Sequence, residues 1–341
     1  MSFIFSTHPL HPAATAMLEA AGDLRVASAP DPETLLREGR GAGIIVVRAP
    51  IPPAFFEDAP ALRAAIRHGA GLDMVPMEAA TRAGVLVANV PAVNASTVAE
   101  HVLLVTLALL RRFRQMDRDL RQNGWAAGRA QSDAAVDLGG RTMGIVGMGN
   151  VGKAIFKIAK FGFGLEVVAT SRSPENMPEG ARFLAIDELV ASADVLVLCC
   201  PLTPETTGLL NARRIGRMKP GAILVNVSRG PVVDDAALIE ALRDGRIGGA
   251  ALDVFATQPL PLDHPYFGFA NVIVTPHLAG LTEESMMRMG TGAAAEALRV
   301  IKGDLPVNLR NPEVTDHYRR RFPAQRGIRV GRPAVLPRPE P

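Results

Sequence analysis

The chain has 341 residues, enough for two domains that each bury a core. It is 48% hydrophobic and 21% charged, with a net charge of +3. Seven arginines and two acids fall in residues 316–341, which leaves 30 basic against 32 acidic residues elsewhere and argues against a basic nucleic-acid footprint on the folded body. The longest apolar run, 102–110, is about half a membrane span and leads into Arg111 and Arg112, so no membrane association is expected. No basic segment followed by an apolar core opens the chain, which gives no sign of a secretory signal. The only cysteines, Cys199 and Cys200, are adjacent, a poor disulfide geometry that fits a reducing cytoplasm.

Residues 3–6, 24–27, 44–48, 62–68 and 85–89 read as short apolar strands, with helical patterns such as 12–21 and 32–39 between them. This alternation predicts a parallel sheet with crossover helices. No glycine fingerprint follows the first strand. The series Asn94-Ala-Ser-Thr97-Val-Ala-Glu100 opens a helix predicted to continue to about residue 120, with Thr97 and Glu100 spaced as a capping box. That helix leads into a second lobe, with strands predicted at 143–146, 166–170, 195–200, 222–227, 250–254 and 272–275. A helix at 283–302 then returns the chain to the first lobe. The first domain is therefore discontinuous, comprising 1–96 and 287–314 around an inserted 97–286. Periodicity stops beyond residue 311, and the Pro/Arg-rich stretch 315–341 is expected to be disordered.

The second lobe opens on Met143-Gly-Ile-Val-Gly147-Met-Gly149-Asn150-Val151-Gly152, an apolar strand running into Gly-x-Gly-x-x-Gly and then a helical pattern. In that context Gly147 permits a tight turn, Gly149 lets backbone approach a pyrophosphate, and Gly152 allows helix to pack on strand. The N–H groups and positive dipole end of the helix then face the anion. The second strand of such a unit usually ends in an acid that binds the adenosine ribose. Here it ends in Ser171-Arg172-Ser173. Arginine and hydroxyls suit a 2′-phosphate, which a carboxylate would repel, so NADP is favoured and NAD stays open.

Five further motifs fall in order along the chain. They are His68-Gly-Ala70-Gly71-Leu-Asp73, Pro201-Leu-Thr-Pro-Glu-Thr206, Ser228-Arg229-Gly230, Leu252-Asp253-Val-Phe255 and Thr275-Pro276-His277-Leu-Ala-Gly280. Together with the glycine turn they resemble the D-isomer-specific 2-hydroxyacid dehydrogenases of the glyoxylate/hydroxypyruvate reductase type, over about residues 3–311. The resemblance implies an α/β fold of two doubly wound parallel-sheet lobes, a Rossmann cofactor domain inserted in a flavodoxin-like substrate domain. It implies an NAD(P)-dependent oxidoreductase interconverting a small 2-oxo acid and a D-2-hydroxy acid, working as a cytoplasmic homodimer with no metal and no nucleic-acid partner. Pro201, Thr206, Val227, Ser228, Asp253 and Gly280 match cofactor-binding positions of the family, Asp253 being the one that orients the nicotinamide carboxamide.

Reduction of a 2-oxo acid needs a cation for the carboxylate and carbonyl, a proton donor and a positioned hydride. Arg229, at the end of a predicted strand, supplies the cation. His277 supplies the proton, because imidazole titrates near working pH. Backbone N–H groups at Ala70 and Gly71 are candidates for the substrate carboxylate, and Asn94 adds a side-chain donor. His8, His11, His101, His264 and His317 read as structural, and Met286, Met287 and Met289 as packing. His68 adjoins the carboxylate loop and can be either.

One position departs from the family. Most members place a glutamate against the histidine where this chain has Gln258. Glutamine can fix the ring but cannot stabilise imidazolium by charge. Formate dehydrogenases of the same superfamily resemble this His/Gln pairing and form one alternative. A nucleotide-sensing binding protein of the same fold forms another.

Overall fold

The computed structural model describes residues 2–323, which fall into two compact units: Ala95–Leu281, and the segments preceding and following it. The first unit opens with β1 (Ile4–Ser6), α1 (Pro12–Glu19), β2 (Leu24–Val26), α2 (Pro32–Glu38), β3 (Ile44–Val47), β4 (Ala64–Arg67), α3 (Met77–Arg82) and β5 (Leu86–Ala88). Its sheet is parallel throughout, in the order β2-β1-β3-β4-β5. Phe5, Ile45, Val47, Ala65 and Val87 point to one face, and Ile4, Ile44, Val46, Ala64 and Ile66 to the other. Both faces are buried, which is why β3 to β5 read as continuous apolar runs rather than alternating ones.

The second unit contains α4 (Ala95–Leu110), α5 (Phe113–Asn123), α6 (Trp125–Ala130), β6 (Thr142–Val146), α7 (Asn150–Lys157), β7 (Glu166–Thr170) and β8 (Ala181–Phe183). It continues with α8 (Ile186–Ser192), β9 (Val195–Leu198), α9 (Ala212–Ile215), β10 (Ile223–Asn226), α10 (Asp235–Arg243), β11 (Gly249–Leu252) and β12 (Val272–Val274). The seven strands lie parallel in the order β12-β11-β10-β9-β6-β7-β8. Strand order reverses between β6 and β9, the place where open α/β sheets bind ligands beyond their carboxyl ends.

Two expectations are corrected here, and one strand is added. α4 starts at Ala95, so Thr97 lies buried within the helix and is not its cap. The single long helix is broken after Leu110, because Arg112 turns into the left-handed region at φ 50 and α5 leaves from it. Gln115 Nε2 then donates to the Ala270 carbonyl at 2.7 Å and Arg114 to Val272, which ties α5 to the β12 edge. Strand β8 was not anticipated, since its three residues are half-buried or exposed at the sheet edge and carry no apolar run.

The chain closes with α11 (Glu283–Ile301) and α12 (Thr315–Arg321). Thr282 caps α11 by accepting from the Ser285 N–H at 3.2 Å. A Cβ at Gly290 would come within 2.9 Å of Ala14 Cβ, so glycine lets α11 lie close on α1. The disorder expected from residue 315 does not hold for the described part of that stretch. Thr315–Arg321 is helical, and Tyr318 is only 1% exposed. Asn311 prepares this return by accepting from the Val87 N–H at 2.8 Å and donating to the Val85 carbonyl at 3.0 Å. A helix of two turns with one buried anchor leaves little periodicity to read. Residues 324–341, the rest of the expected tail, lie outside the described residues. Among the described residues no helix is long and apolar enough to cross a membrane, and no group of three or more His, Cys, Asp or Glu could hold a metal ion.

Candidate active site

The three glycines after β6 serve three different ends. Gly147 has φ 101, and a Cβ there would meet the Cys200 backbone at 2.9 Å. A Cβ at Gly152 would collide with the Gly147 carbonyl oxygen, so only glycine lets α7 close on the turn. At Gly149 a Cβ would meet nothing within 4 Å, which leaves open space on that side. Helix α7 starts at Asn150 with no side-chain cap, so the first-turn N–H groups of Asn150, Val151 and Gly152 have no intrahelical partner. This cradle fits a dinucleotide pyrophosphate. The Cys199 thiol donates to the Gly147 carbonyl at 3.0 Å, and burial pushes its pKa up, so it acts as a neutral brace for the turn.

Strand β7 ends without a carboxylate. Arg172 is exposed there, and Ser171 Oγ accepts from the Ser173 N–H at 3.3 Å, which shapes the loop around it. Pro201 is exposed beyond β9, and Thr206 folds back on that loop, accepting from the Thr203 N–H and donating to the Pro201 carbonyl, both at 2.7 Å. Val227 is half-buried beyond β10. Ser228 is buried, with its hydroxyl donating to Asn226 Oδ1 at 2.7 Å. Arg229 is half-buried, and its Nη1 donates to the Ser228 carbonyl at 2.6 Å. A Cβ at Gly230 would collide with the Phe255 backbone, so this glycine lets the arginine loop pack against residues 255 and 256.

Asp253, just past β11, is 3% exposed and accepts three hydrogen bonds. Thr275 Oγ1 donates to its Oδ1 at 2.6 Å, the Leu278 N–H to the same oxygen at 2.9 Å, and the Ala279 N–H to Oδ2 at 2.9 Å. Its main-chain carbonyl accepts from the His277 N–H at 2.9 Å. His277 has φ 55 and an exposed ring whose Nδ1 lies 3.2 Å from Gln258 Oε1. Gln258 Nε2 donates to the Phe255 carbonyl at 3.3 Å, which turns Oε1 toward the ring. An amide oxygen only accepts, so this contact calls for a proton on Nδ1. Gly280, half-buried, closes this turn.

In the first unit the 68–73 loop follows β4. Its carbonyls are held from behind: Gly69 O accepts from the Val90 N–H at 3.0 Å, Ala70 O from Asn89 Nδ2 at 2.6 Å, and Gly71 O from Arg67 Nε at 3.1 Å. The N–H groups of Ala70 and Gly71 make no hydrogen bond among the described residues. Arg310 Nε donates to Asn89 Oδ1 at 2.6 Å, so the chain's return segment braces the same loop. Sequence reading missed Asn89, Arg310 and the Thr275–Asp253 bond, because each acts on a partner distant in sequence. Asn94 is half-buried after Ala92, whose φ is 71. His68 is buried beneath the loop, and burial followed by the charges of Arg48 and Arg67 lowers its pKa to about 3. It is a neutral base and no acid. Of the other histidines, His11 pairs with Glu283 at 2.9 Å and His264 accepts from the Tyr266 N–H at 3.3 Å.

A parallel α/β unit with a glycine-cornered helix entry, and with arginine and histidine beyond the carboxyl ends of its strands, fits a nicotinamide-dependent oxidoreductase. Comparison with known proteins narrows the class. A family model described as D-isomer specific 2-hydroxyacid dehydrogenase, NAD binding domain, matches residues 103–279. The chain is 36% identical over 286 residues to glyoxylate/hydroxypyruvate reductase B of Yersinia enterocolitica, covering 83% of this chain and 88% of that protein. It is similar to the structure of an NADPH-dependent glyoxylate/hydroxypyruvate reductase from Sinorhizobium meliloti in complex with NADP and malonate, with TM-score 0.81, 26% identity and coverage of 92% and 97%. An NAD-dependent formate dehydrogenase from Staphylococcus aureus in complex with NAD gives TM-score 0.78 at 28% identity, with coverage of 88% and 95%. The chain belongs to the D-isomer specific 2-hydroxyacid dehydrogenase family and is an NAD(P)-dependent oxidoreductase acting on CH–OH donors.

Proposed function

We propose that this enzyme reduces a small 2-oxo acid of the glyoxylate or hydroxypyruvate type to the D-2-hydroxy acid, reversibly and with NADPH as the preferred reductant. The observation that carries the reading is the presence of both Arg229 and His277 beyond the carboxyl ends of the second unit's strands, a cation for the carboxylate and a proton donor for the carbonyl. Bound nicotinamide supplies the hydride. Arg229 binds the carboxylate and polarises the carbonyl with paired donors. The N–H groups of Ala70 and Gly71 and the Asn94 amide are assigned to the substrate carboxylate. His277 gives its Nε2 proton to the carbonyl oxygen and takes one back in the reverse direction.

The NADPH preference is supported by Arg172, Ser171 and Ser173 at a strand end that lacks an acid. The Yersinia and Sinorhizobium relatives support the substrate type. Formate oxidation is the second reading, favoured by Gln258 at the histidine. Arg229 and His277 together argue for turnover over nucleotide sensing alone. Initial rates with glyoxylate, hydroxypyruvate and formate, each with both cofactors, test the proposal. NADPH-dependent reduction of either 2-oxo acid is expected, and formate oxidation alone would replace it with the second reading.

Assembly as a cytoplasmic two-fold dimer through the second unit belongs to the same proposal. It is supported by Phe113, Leu120 and Trp125, apolar residues of α5 and α6 that stay exposed, Trp125 at 74%. Sedimentation at micromolar concentration is expected to give the dimer, and monomer alone would refute it.

A further inference from the structure

We infer that Asp253, acting through Thr275, is the positioning residue that holds His277 in the geometry of proton transfer. The inference rests on the reading of His277 as proton donor. Three donors converge on the Asp253 carboxylate, and all come from the turn that carries the histidine: Thr275 Oγ1 at 2.6 Å, Leu278 N at 2.9 Å and Ala279 N at 2.9 Å. The His277 N–H itself reaches the Asp253 carbonyl at 2.9 Å and the Thr275 carbonyl at 3.0 Å. The turn is therefore wrapped around one buried side chain.

That wrapping explains a backbone otherwise hard to account for. His277 sits at φ 55, in the left-handed region that a residue with a Cβ avoids. Such conformations persist where the surroundings over-determine them. Here the donors on either side of the histidine supply that constraint. Its ring is then fixed at the far end by Gln258, so backbone and Nδ1 are each held by a separate acceptor.

The chemistry of the acceptor matters. A carboxylate offers about four lone-pair sites on two oxygens, and the turn takes three. One site on Oδ2 stays available to a further donor, so holding the turn is compatible with a cofactor contact. An asparagine would offer only one accepting atom. Its amide group would face either the Ala279 N–H or the Thr275 and Leu278 donors, with donor against donor. Thr275 is the separable part of the device. Valine keeps its shape and removes the shortest bond, while both N–H bonds remain.

The test compares Thr275→Val and Thr275→Ser with the parent enzyme. It measures hydroxypyruvate reduction, NADPH affinity by fluorescence, melting temperature, and the imidazole 15N signals, with His277 assigned by its loss in His277→Ala. Thr275→Val is expected to lower kcat about ten- to hundredfold while KM and the NADPH Kd move by less than about twofold. Its His277 signals should shift toward those of a free imidazole. Thr275→Ser, which keeps the hydroxyl, should restore both readouts. Wild-type kcat and unmoved His277 signals in Thr275→Val would overturn the inference. So would parallel losses of kcat, NADPH affinity and melting temperature that Thr275→Ser fails to restore. If the parent reduces no 2-oxo acid, the functional reading falls, and the ring signals decide the positioning role alone: moved by valine and restored by serine supports it, unmoved overturns it.

Discussion

Gln258 stands where the family resemblance leads one to expect a glutamate at the histidine. A carboxylate beside Nδ1 would favour the charged ring and raise its pKa. In the proposed reaction reduction needs that charged ring, so activity should be lost as pH rises through the histidine pKa. Gln258→Glu should therefore move the alkaline limb of the reductive kcat/KM profile to higher pH, and an unmoved limb would mean that the carboxylate does not reach the ring. The proposed NADPH preference turns on Arg172 in the same local way. Arg172→Ala should weaken NADPH by about 1.5–3 kcal/mol, as expected for one hydrogen bond to a charged group, and leave NADH almost unchanged in titrations of each. Equal losses for both cofactors would make Arg172 merely structural. At this scale the sequence exposes residues whose chemistry is intrinsic, such as His277, Arg229 and the serines flanking Arg172. It hides those whose meaning is relational. Thr275 was visible only as part of a motif, and Asn89 and Arg310 were not visible at all, because their partners lie on other elements.

Two glycines that look alike in the motif should behave differently as parts of their turn and helix. Gly152→Ala forces a methyl into the Gly147 carbonyl and should destabilise the second unit by about 1–3 kcal/mol, the usual cost of overpacking. Gly149→Ala meets open space and has φ −79, so its melting temperature should stay near the parent's while cofactor affinity falls, because the methyl occupies the side that backbone leaves clear. Thermal melts with cofactor titrations separate the two, and equal losses of stability would contradict the assignment. The elements were largely legible: apolar runs marked β1, β3 to β6 and β9 to β12 because both sheet faces are buried. The break after Leu110 was not legible, since no Pro or Gly marks Arg112 and its left-handed turn serves the docking of α5 on β12. The capping box at Thr97 matched the spacing, but the helix starts at Ala95 and takes Thr97 inside it.

At the scale of the whole molecule, acid stability should carry the imprint of His68. Its folded pKa is about 3 against an ordinary 6.5, through burial and then the charges of Arg48 and Arg67. The unfolded chain binds this proton below its own pKa while the folded chain does not. The stabilisation is therefore complete above about pH 6.5 and declines as pH falls toward 3, by up to about 1.4 kcal/mol per pH unit. His68→Gln cannot titrate and should flatten that part of the urea-unfolding profile; an unchanged slope would mean that His68 takes up its proton in the fold. The division into two parallel α/β units was legible from the alternation of elements, whereas the packing of Tyr318 was not, because one anchor in a short basic helix leaves no pattern. The claim that unites the molecule is that its second unit delivers a proton from His277 to a 2-oxo acid reduced by NADPH. Its most direct test is the rate of hydroxypyruvate and glyoxylate reduction by His277→Ala at saturating NADPH. A loss of about 10²–10⁴-fold, with NADPH still bound, is the expected result. Undiminished reduction of both acids by His277→Ala would contradict the account.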